Sequence, residues 1–270
     1  MTPETPSDPP LQRAPMGRGE FTWAESGEGP AVIAVHGAPG STRDFRWLGS
    51  AVEGIRFIRL DLPGYGGTDW STGPGYTLAA RARFVVAAAY VLGLNRYSLV
   101  GHSQGGGVAT AAAAMAPEQV QSLALLASIG PRRHKGFLVS RVRLFGTVLR
   151  VPGLPWLLQD RLEAGFRRAG FPATLSHEQR VRTIKSSGAI SFAAHARNLA
   201  RLQCPTMVCW TEDDRLVEDA VSRDLAAAVP DGPRLSFPTG GHNLQKTRAL
   251  EIGEALSGFV SESVQVRLAQ

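Results

Sequence analysis

Residues 97–107 read Tyr-Ser-Leu-Val-Gly-His-Ser-Gln-Gly-Gly-Gly, an apolar run of strand character that leads directly into the Ala-rich stretch 108–115. A strand that turns at once into a helix brings the chain so close to itself that only hydrogen fits at Gly101 and Gly105. The turn also forces its central residue, Ser103, into a strained backbone conformation that lifts the side chain clear of the sheet. This is the sequence form of a nucleophile elbow. The first N–H groups of the helix then point at whatever lies above the serine and stabilise negative charge developing there. With 30 Gly in 270 residues, a Gly-x-Ser-x-Gly match arises by chance roughly 0.2 times per chain, so the rest of the sequence must decide.

Downstream, Met-Val-Cys-Trp-Thr-Glu-Asp-Asp at 207–214 places acids behind a strand-like run, and Leu-Ser-Phe-Pro-Thr-Gly-Gly-His at 235–242 places a histidine behind another. Upstream lie Ala-Val-Ile-Ala-Val-His-Gly-Ala-Pro-Gly at 31–40 and Asp-Leu-Pro-Gly-Tyr-Gly-Gly-Thr-Asp at 61–69. In order and kind, these segments resemble the alpha/beta hydrolases over about residues 20–262, with the middle third matched least. The resemblance implies an α/β fold with a mostly parallel central sheet flanked by helices and an inserted helical cap. It also implies acyl chemistry with no cofactor and no metal.

Serine is a poor nucleophile at neutral pH and needs a base to take its proton. His242 follows Gly240 and Gly241 in a loop that lets an imidazole swing over the serine, and it is the candidate base. His36 and His102 belong to glycine turns that they support, while His134, His177 and His195 fall in the expected cap. The base needs a carboxylate to fix its tautomer, and Glu212, Asp213 and Asp214 all qualify by position. The family's Gly-x-x-Asp form selects Asp214, with Asp213 next; Thr211 stands where that form has Gly. The resemblance also assigns the oxyanion hole to the backbone N–H groups of Gln104 and Ala38, since Pro39 has none to offer. Asp61 and Asp69 belong to a turn that is structural in the family.

Short apolar runs alternating with helical patterns predict a mostly parallel sheet covered on both faces. Strands are expected at 21–24, 31–36, 55–61, 97–101, 122–128, 206–211 and 234–238, and helices at 44–52, 78–92, 106–116, 217–229 and 247–261. From 128 to 201 the rhythm breaks into helical patterns punctuated by Pro152, Gly153, Pro155 and Pro172. This divides the chain into a disordered arm (1–16), a hydrolase core (17–130 and 202–270) and a helical cap insertion (131–201) of three to five helices. Trp156, Phe166, Phe171 and Phe192 are pocket-wall candidates within it, with helix packing as the competing role.

The net charge of +6 is unevenly placed: 131–201 carries 14 Lys and Arg against 3 Asp and Glu, and the remainder 15 against 20. A basic segment beside a pocket argues poorly for nucleic-acid binding. It fits a solvated surface, attraction of anionic substrates or acidic lipid, or a partner surface. Its densest cluster is Arg132, Arg133, His134 and Lys135. Cys204 and Cys209 flank one expected strand and face opposite ways, as buried thiols of a reducing cytoplasm would. The Pro-rich start lacks a signal peptide's apolar region, and no stretch reaches the roughly 18 apolar residues of a membrane span. The expectation is a soluble cytoplasmic protein.

A serine at the elbow, where relatives that open epoxides or displace halide carry Asp, points to esters, thioesters or lactones as substrates. Two alternatives remain at this level. The same residues could cleave a carbon–carbon bond of a diketone-like metabolite, or the fold could act as a non-catalytic ligand receptor.

Overall fold

The computed structural model describes residues 6–134, 139–168, 171 and 173–268. Eight strands form one sheet in the order β1-β2-β4-β3-β5-β6-β7-β8. They are β1 (Gln12–Met16), β2 (Gly19–Ser26), β3 (Ala31–Val35), β4 (Arg56–Leu60), β5 (Tyr97–His102), β6 (Val120–Leu126), β7 (Thr206–Thr211) and β8 (Arg234–Phe237). β1 and β2 run antiparallel to their neighbours, and every other pairing is parallel. The helices are α1 (Arg46–Gly49), α2 (Leu78–Val91), α3 (Gln104–Met115), α4 (Val139–Val148), α5 (Leu154–Leu157), α6 (Gln159–Arg168), α7 (His177–Gly188), α8 (Phe192–Leu199), α9 (Asp219–Ala227), α10 (Leu244–Thr247) and α11 (Ala249–Leu268).

The two-residue period of the strands divides the core into two layers. Ile33, Val35, Leu99, Leu123, Leu125, Val208 and Trp210 face one side and pack with Ala82 and Val85 of α2 and Val108 of α3. Val32, Ala34, Val100, Ala124, Leu126 and Met207 face the other and pack with Ile252, Leu256 and Val260 of α11. Burial on both faces explains why these strands read as unbroken apolar runs. Cys204 belongs to the first layer and Cys209 to the second.

Several expectations need correction. Residues 12–16, placed in a disordered arm over 1–16, form β1, paired in register with β2 from Gln12 opposite Trp23 to Met16 opposite Gly19. Asp8, also in that span, ion-pairs with Arg59 at 2.8 Å. The helix expected at 44–52 is a 3₁₀ turn, Thr42–Phe45, followed by the single turn α1. The last helix is split into α10 and α11 and runs past 261.

Among the described residues, five helices, α4 to α8, lie between β6 and β7. Leu149, Leu162 of α6 and Val181 of α7 form a small core of their own. Ile190 and Leu199, by contrast, join the first layer of the sheet core, so α8 packs on the core rather than with the other inserted helices. Of the pocket-wall candidates, Trp156 is exposed and stacks on His177, Phe166 and Phe171 pack together at 5.3 Å, and Phe192 is partly buried against the first layer. Among the described residues, no helix is long and apolar enough to cross a membrane.

Candidate active site

β5 ends at His102, and Ser103 follows with φ 55° and ψ −124°, a left-handed conformation that costs energy in any residue bearing a Cβ. The surroundings hold it there: Ser103 N–H donates to Leu126 O at 3.0 Å, and Ser103 O accepts from Gly106 and Ile129 N–H. A Cβ at Gly105 would collide with the carbonyls of Val35 and His36, so the start of α3 presses directly on the end of β3. Gly37 faces Ser103 from the neighbouring loop, where an added Cβ would sit 3.2 Å from that of the serine.

The side chains separated by more than a hundred residues meet above this turn. Ser103 Oγ lies 2.8 Å from His242 Nε2, and His242 Nδ1 lies 2.8 Å from Asp214 Oδ2. The remaining oxygen of Asp214 accepts from the N–H groups of Leu216 and Val217 at 2.7 and 3.1 Å. Burial acts to raise the Asp214 pKa, but the hydrogen bond and charge of His242 and these two amides outweigh it and hold the carboxyl below its ordinary value. An ionised Asp214 fixes the His242 proton on Nδ1 and leaves Nε2 free to accept from the serine.

Asp213, the second-ranked acid, does not reach the imidazole. Its carboxylate accepts from Gly241 N at 2.8 Å and Gly240 N at 3.3 Å, and the Gly241 amide leads in holding its pKa low. Thr211 Oγ1 donates to Gly241 O at 3.0 Å, and Thr247 Oγ1 donates to Gly240 O at 2.7 Å. His102 completes the brace at His242 O, 2.8 Å from its Nε2. A carbonyl oxygen can only accept, so Nε2 carries the His102 proton. Burial, then the neighbouring His242, pushes its pKa down to about 3, which keeps the ring neutral. Sequence reasoning did not assign Thr211, Asp213, Thr247 and His102 to the histidine loop; the doublet Gly240-Gly241, a mobile hinge unless held, was the available signal.

Gln104 is the first residue of α3, where an N–H has no acceptor within the helix. Ala38 follows Gly37 in the loop leaving β3, partly buried against the core. His36, the first residue of that loop, is buried and accepts from Leu62 N at Nε2, 3.0 Å. Asp61 is structural: Thr22 Oγ1, Thr42 N and Gly67 N all donate to its carboxylate within 3.0 Å, tying both loops together. Asp69 accepts from Glu20 N at 2.9 Å. Among the described residues, no group of three or more His, Cys, Asp or Glu is placed to hold a metal ion.

The inserted helices approach this site through α7. Thr183 Oγ1 lies 3.1 Å from Tyr65 Oη, and Ser186 Oγ donates to Gln104 Oε1 at 3.4 Å. In the basic cluster, Arg132 ion-pairs with Asp224 and Arg133 is exposed. His134 is buried edge-on to Phe192 and close enough to His242 and Asp214 to feel their charge; Lys135 lies outside the described residues. A cavity of about 530 Å³ along α6, lined by Asp160, Glu163, Ala164, Arg167 and Arg168, shares no residue with the Ser103 cluster.

Comparison with known proteins places the fold in a family. The alpha/beta hydrolase fold family model matches residues 30–172. The chain is 32% identical over 204 residues to a Klebsiella pneumoniae protein named carbamate hydrolase RutD, covering 68% of this chain and 74% of that one. It is 28% identical over 238 residues to a Comamonas testosteroni protein named 2-hydroxy-6-oxononadienedioate/2-hydroxy-6-oxononatrienedioate hydrolase, covering 81% and 83%. The crystal structure of haloalkane dehalogenase DbeA from Bradyrhizobium elkani superposes with a TM-score of 0.77 at 22% identity, over 95% and 99% of the two chains, a likeness of fold.

Proposed function

The chain belongs to the alpha/beta hydrolase fold family, and from that premise we propose that it is a serine hydrolase of carboxylic esters, thioesters or lactones working through an acyl-enzyme on Ser103. The observation that carries this reading is the continuous hydrogen-bonded line from Ser103 Oγ through both nitrogens of His242 to Asp214. In this reading His242 Nε2 removes the serine proton as Oγ attacks the substrate carbonyl, and Asp214 stabilises the resulting imidazolium. The tetrahedral oxyanion is held by the N–H groups of Gln104 and Ala38, each contributing about 3 kcal/mol by analogy with other acyl-transfer enzymes. His242 then protonates the leaving group, and a water activated by the same nitrogen releases the acid. The segment 131–201 acts as a cap, with α7 bridging Tyr65 and Gln104.

A second reading applies the same residues to a carbon–carbon bond flanked by carbonyls, favoured by the name of the Comamonas relative. The name of the Klebsiella relative extends the chemistry to a carbamate carbonyl. All three begin with an attack at a carbonyl and differ in the group expelled.

Release of p-nitrophenol from acetate, butyrate, octanoate and palmitate esters, by wild type and Ser103→Ala, tests the reading. Turnover by the wild type alone is expected, with the preferred chain length reporting pocket depth. Equal rates for the two proteins would refute the serine mechanism, and no release by either would favour the carbon–carbon reading.

A further inference from the structure

Among the described residues, Arg81 is a buried cation with no anion bonded to it. It lies in the first turn of α2, on the face shared by buried Leu78, Ala82 and Val85, and is 1% exposed. None of its three guanidinium nitrogens has a hydrogen-bond partner among the described residues. A guanidinium cannot shed its charge, and burying it unpaired is costly. Its place near a helix N-terminus sets it against the positive end of the helix dipole. The partial compensation is the Tyr65 ring, whose centroid lies 5.2 Å from Cζ. Buried Asp61 is committed to Thr22, Thr42 and Gly67.

The surroundings of Arg81 lead back to Ser103. Tyr65 meets Thr183 of α7, and three residues along that helix Ser186 meets Gln104, the neighbour of Ser103. Gln104 Nε2 is a second buried donor without a partner among the described residues. His36, which opens the loop carrying Gly37 and Ala38, packs edge-on to Tyr65 with centroids 5.6 Å apart. More cations stand on a second aromatic pair, Trp70 and Tyr76. Lys185 Nζ lies 5.8 Å from the Tyr76 ring and Arg182 Cζ 5.3 Å from Trp70, while the two rings sit 4.8 Å apart. Arg182 is paired with Glu178; Lys185 has burial, Arg150 and Arg182 all acting to lower its pKa.

We propose that Arg81 binds the carboxylate of an anionic acyl chain, so that the substrates are half-esters or half-thioesters of dicarboxylic acids. Lys185 and Arg182 draw the anion in, Arg81 holds its far end, and the reacting carbonyl rests at Ser103. The substrate class rests on the serine-hydrolase reading; the anion site itself does not.

The test compares kcat/KM for the mono-p-nitrophenyl esters of adipate and suberate with that for p-nitrophenyl hexanoate and octanoate. Wild type should favour the half-ester at its better chain length by at least about tenfold. Arg81→Met should lose that preference, Arg81→Lys should keep part of it, and Arg83→Gln, an exposed arginine on the same helix, should keep all of it. A wild type that prefers the neutral ester, or an Arg81→Met that retains the wild-type ratio, overturns the proposal. If no ester is turned over, the ester-hydrolase reading fails and calorimetric titration with adipate decides the site alone. Saturable binding to wild type and Ser103→Ala that weakens in Arg81→Met supports it, and no binding, or equal binding, overturns it. Should Arg81→Met not fold, the same titration with Arg81→Lys decides: weaker binding than wild type supports the site and equal binding overturns it.

Discussion

His102 Nε2 donates to the carbonyl oxygen of His242 at 2.8 Å, so the residue immediately before the elbow serine holds the loop that carries His242. The two rings lie 5.0 Å apart, and the bond spans 140 residues of sequence. In the proposed mechanism His102 is a positioning residue. His102→Leu, which cannot donate, should lower kcat by roughly ten- to a hundredfold with KM within about twofold, because a misplaced base costs rate rather than binding. His102→Gln, which retains a donor, should recover part of the loss. An equal change in KM, or no rescue by Gln, would mean that the bond does not set the geometry of His242.

Asp213 and Asp214 are adjacent but hold different partners. Asp214→Asn should reduce kcat on the order of 10³–10⁴-fold, because an amide facing Nδ1 leaves the imidazole in the wrong tautomer. Asp213→Ala frees two backbone N–H groups of the histidine loop and should cost less than about tenfold, since the loop remains tied by Thr211, Thr247 and His102. Steady-state kinetics on one ester discriminates, and the reverse ranking would exchange the two assignments.

Gly105 leaves no room for a side chain because the ends of β3 and α3 touch there. Gly105→Ala drives a methyl group into two backbone carbonyls and should cost about 3 kcal/mol or more. Thermal unfolding read by circular dichroism checks this, and a melting temperature within two degrees of wild type would contradict it.

Acid should weaken the fold. Burial pushes the pKa of His36 to about 4, of His102 to about 3 and of His195 to about 4, from an ordinary value of 6.5. These rings stay neutral when folded and charge when unfolded, so the stability they contribute is complete above pH 6.5 and is lost as pH falls toward 4. Asp44 opposes them: burial raises it to about 7, so its contribution is complete below the ordinary 3.8 and is lost as pH rises through 7. Between pH 7 and 5.5 the three histidines outweigh the one carboxyl, by roughly 2 kcal/mol. That corresponds to a fall of roughly 4–8 °C in melting temperature. A melting temperature that holds or rises over this range would refute the balance.

Much of the fold was legible because its central strands are buried on both faces and so appear as uninterrupted apolar runs. β1 was not. Its residues, Gln-Arg-Ala-Pro-Met, are mostly exposed at a sheet edge, where burial imposes no alternation and a proline is tolerated. Ser103, His242 and Asp214 were legible because each follows a strand in a turn of recognisable composition. The hydrogen bonds of Thr211, Asp213 and His102 to the histidine loop join segments 27 to 140 residues apart, and no local pattern announces them. Thr211 stands where the family's form has Gly, yet its hydroxyl braces Gly241. Arg81 was hidden for a related reason, since an Ala-rich helix does not declare which face is buried.

The central claim is that Ser103 is the nucleophile, and the most direct measurement is mass spectrometry of the protein after reaction with an alkyl fluorophosphonate. One adduct is predicted, on the peptide containing Ser103, absent in Ser103→Ala and forming at least about a thousandfold more slowly in His242→Ala. An unmodified wild type, or an adduct carried by any other residue, would contradict the account.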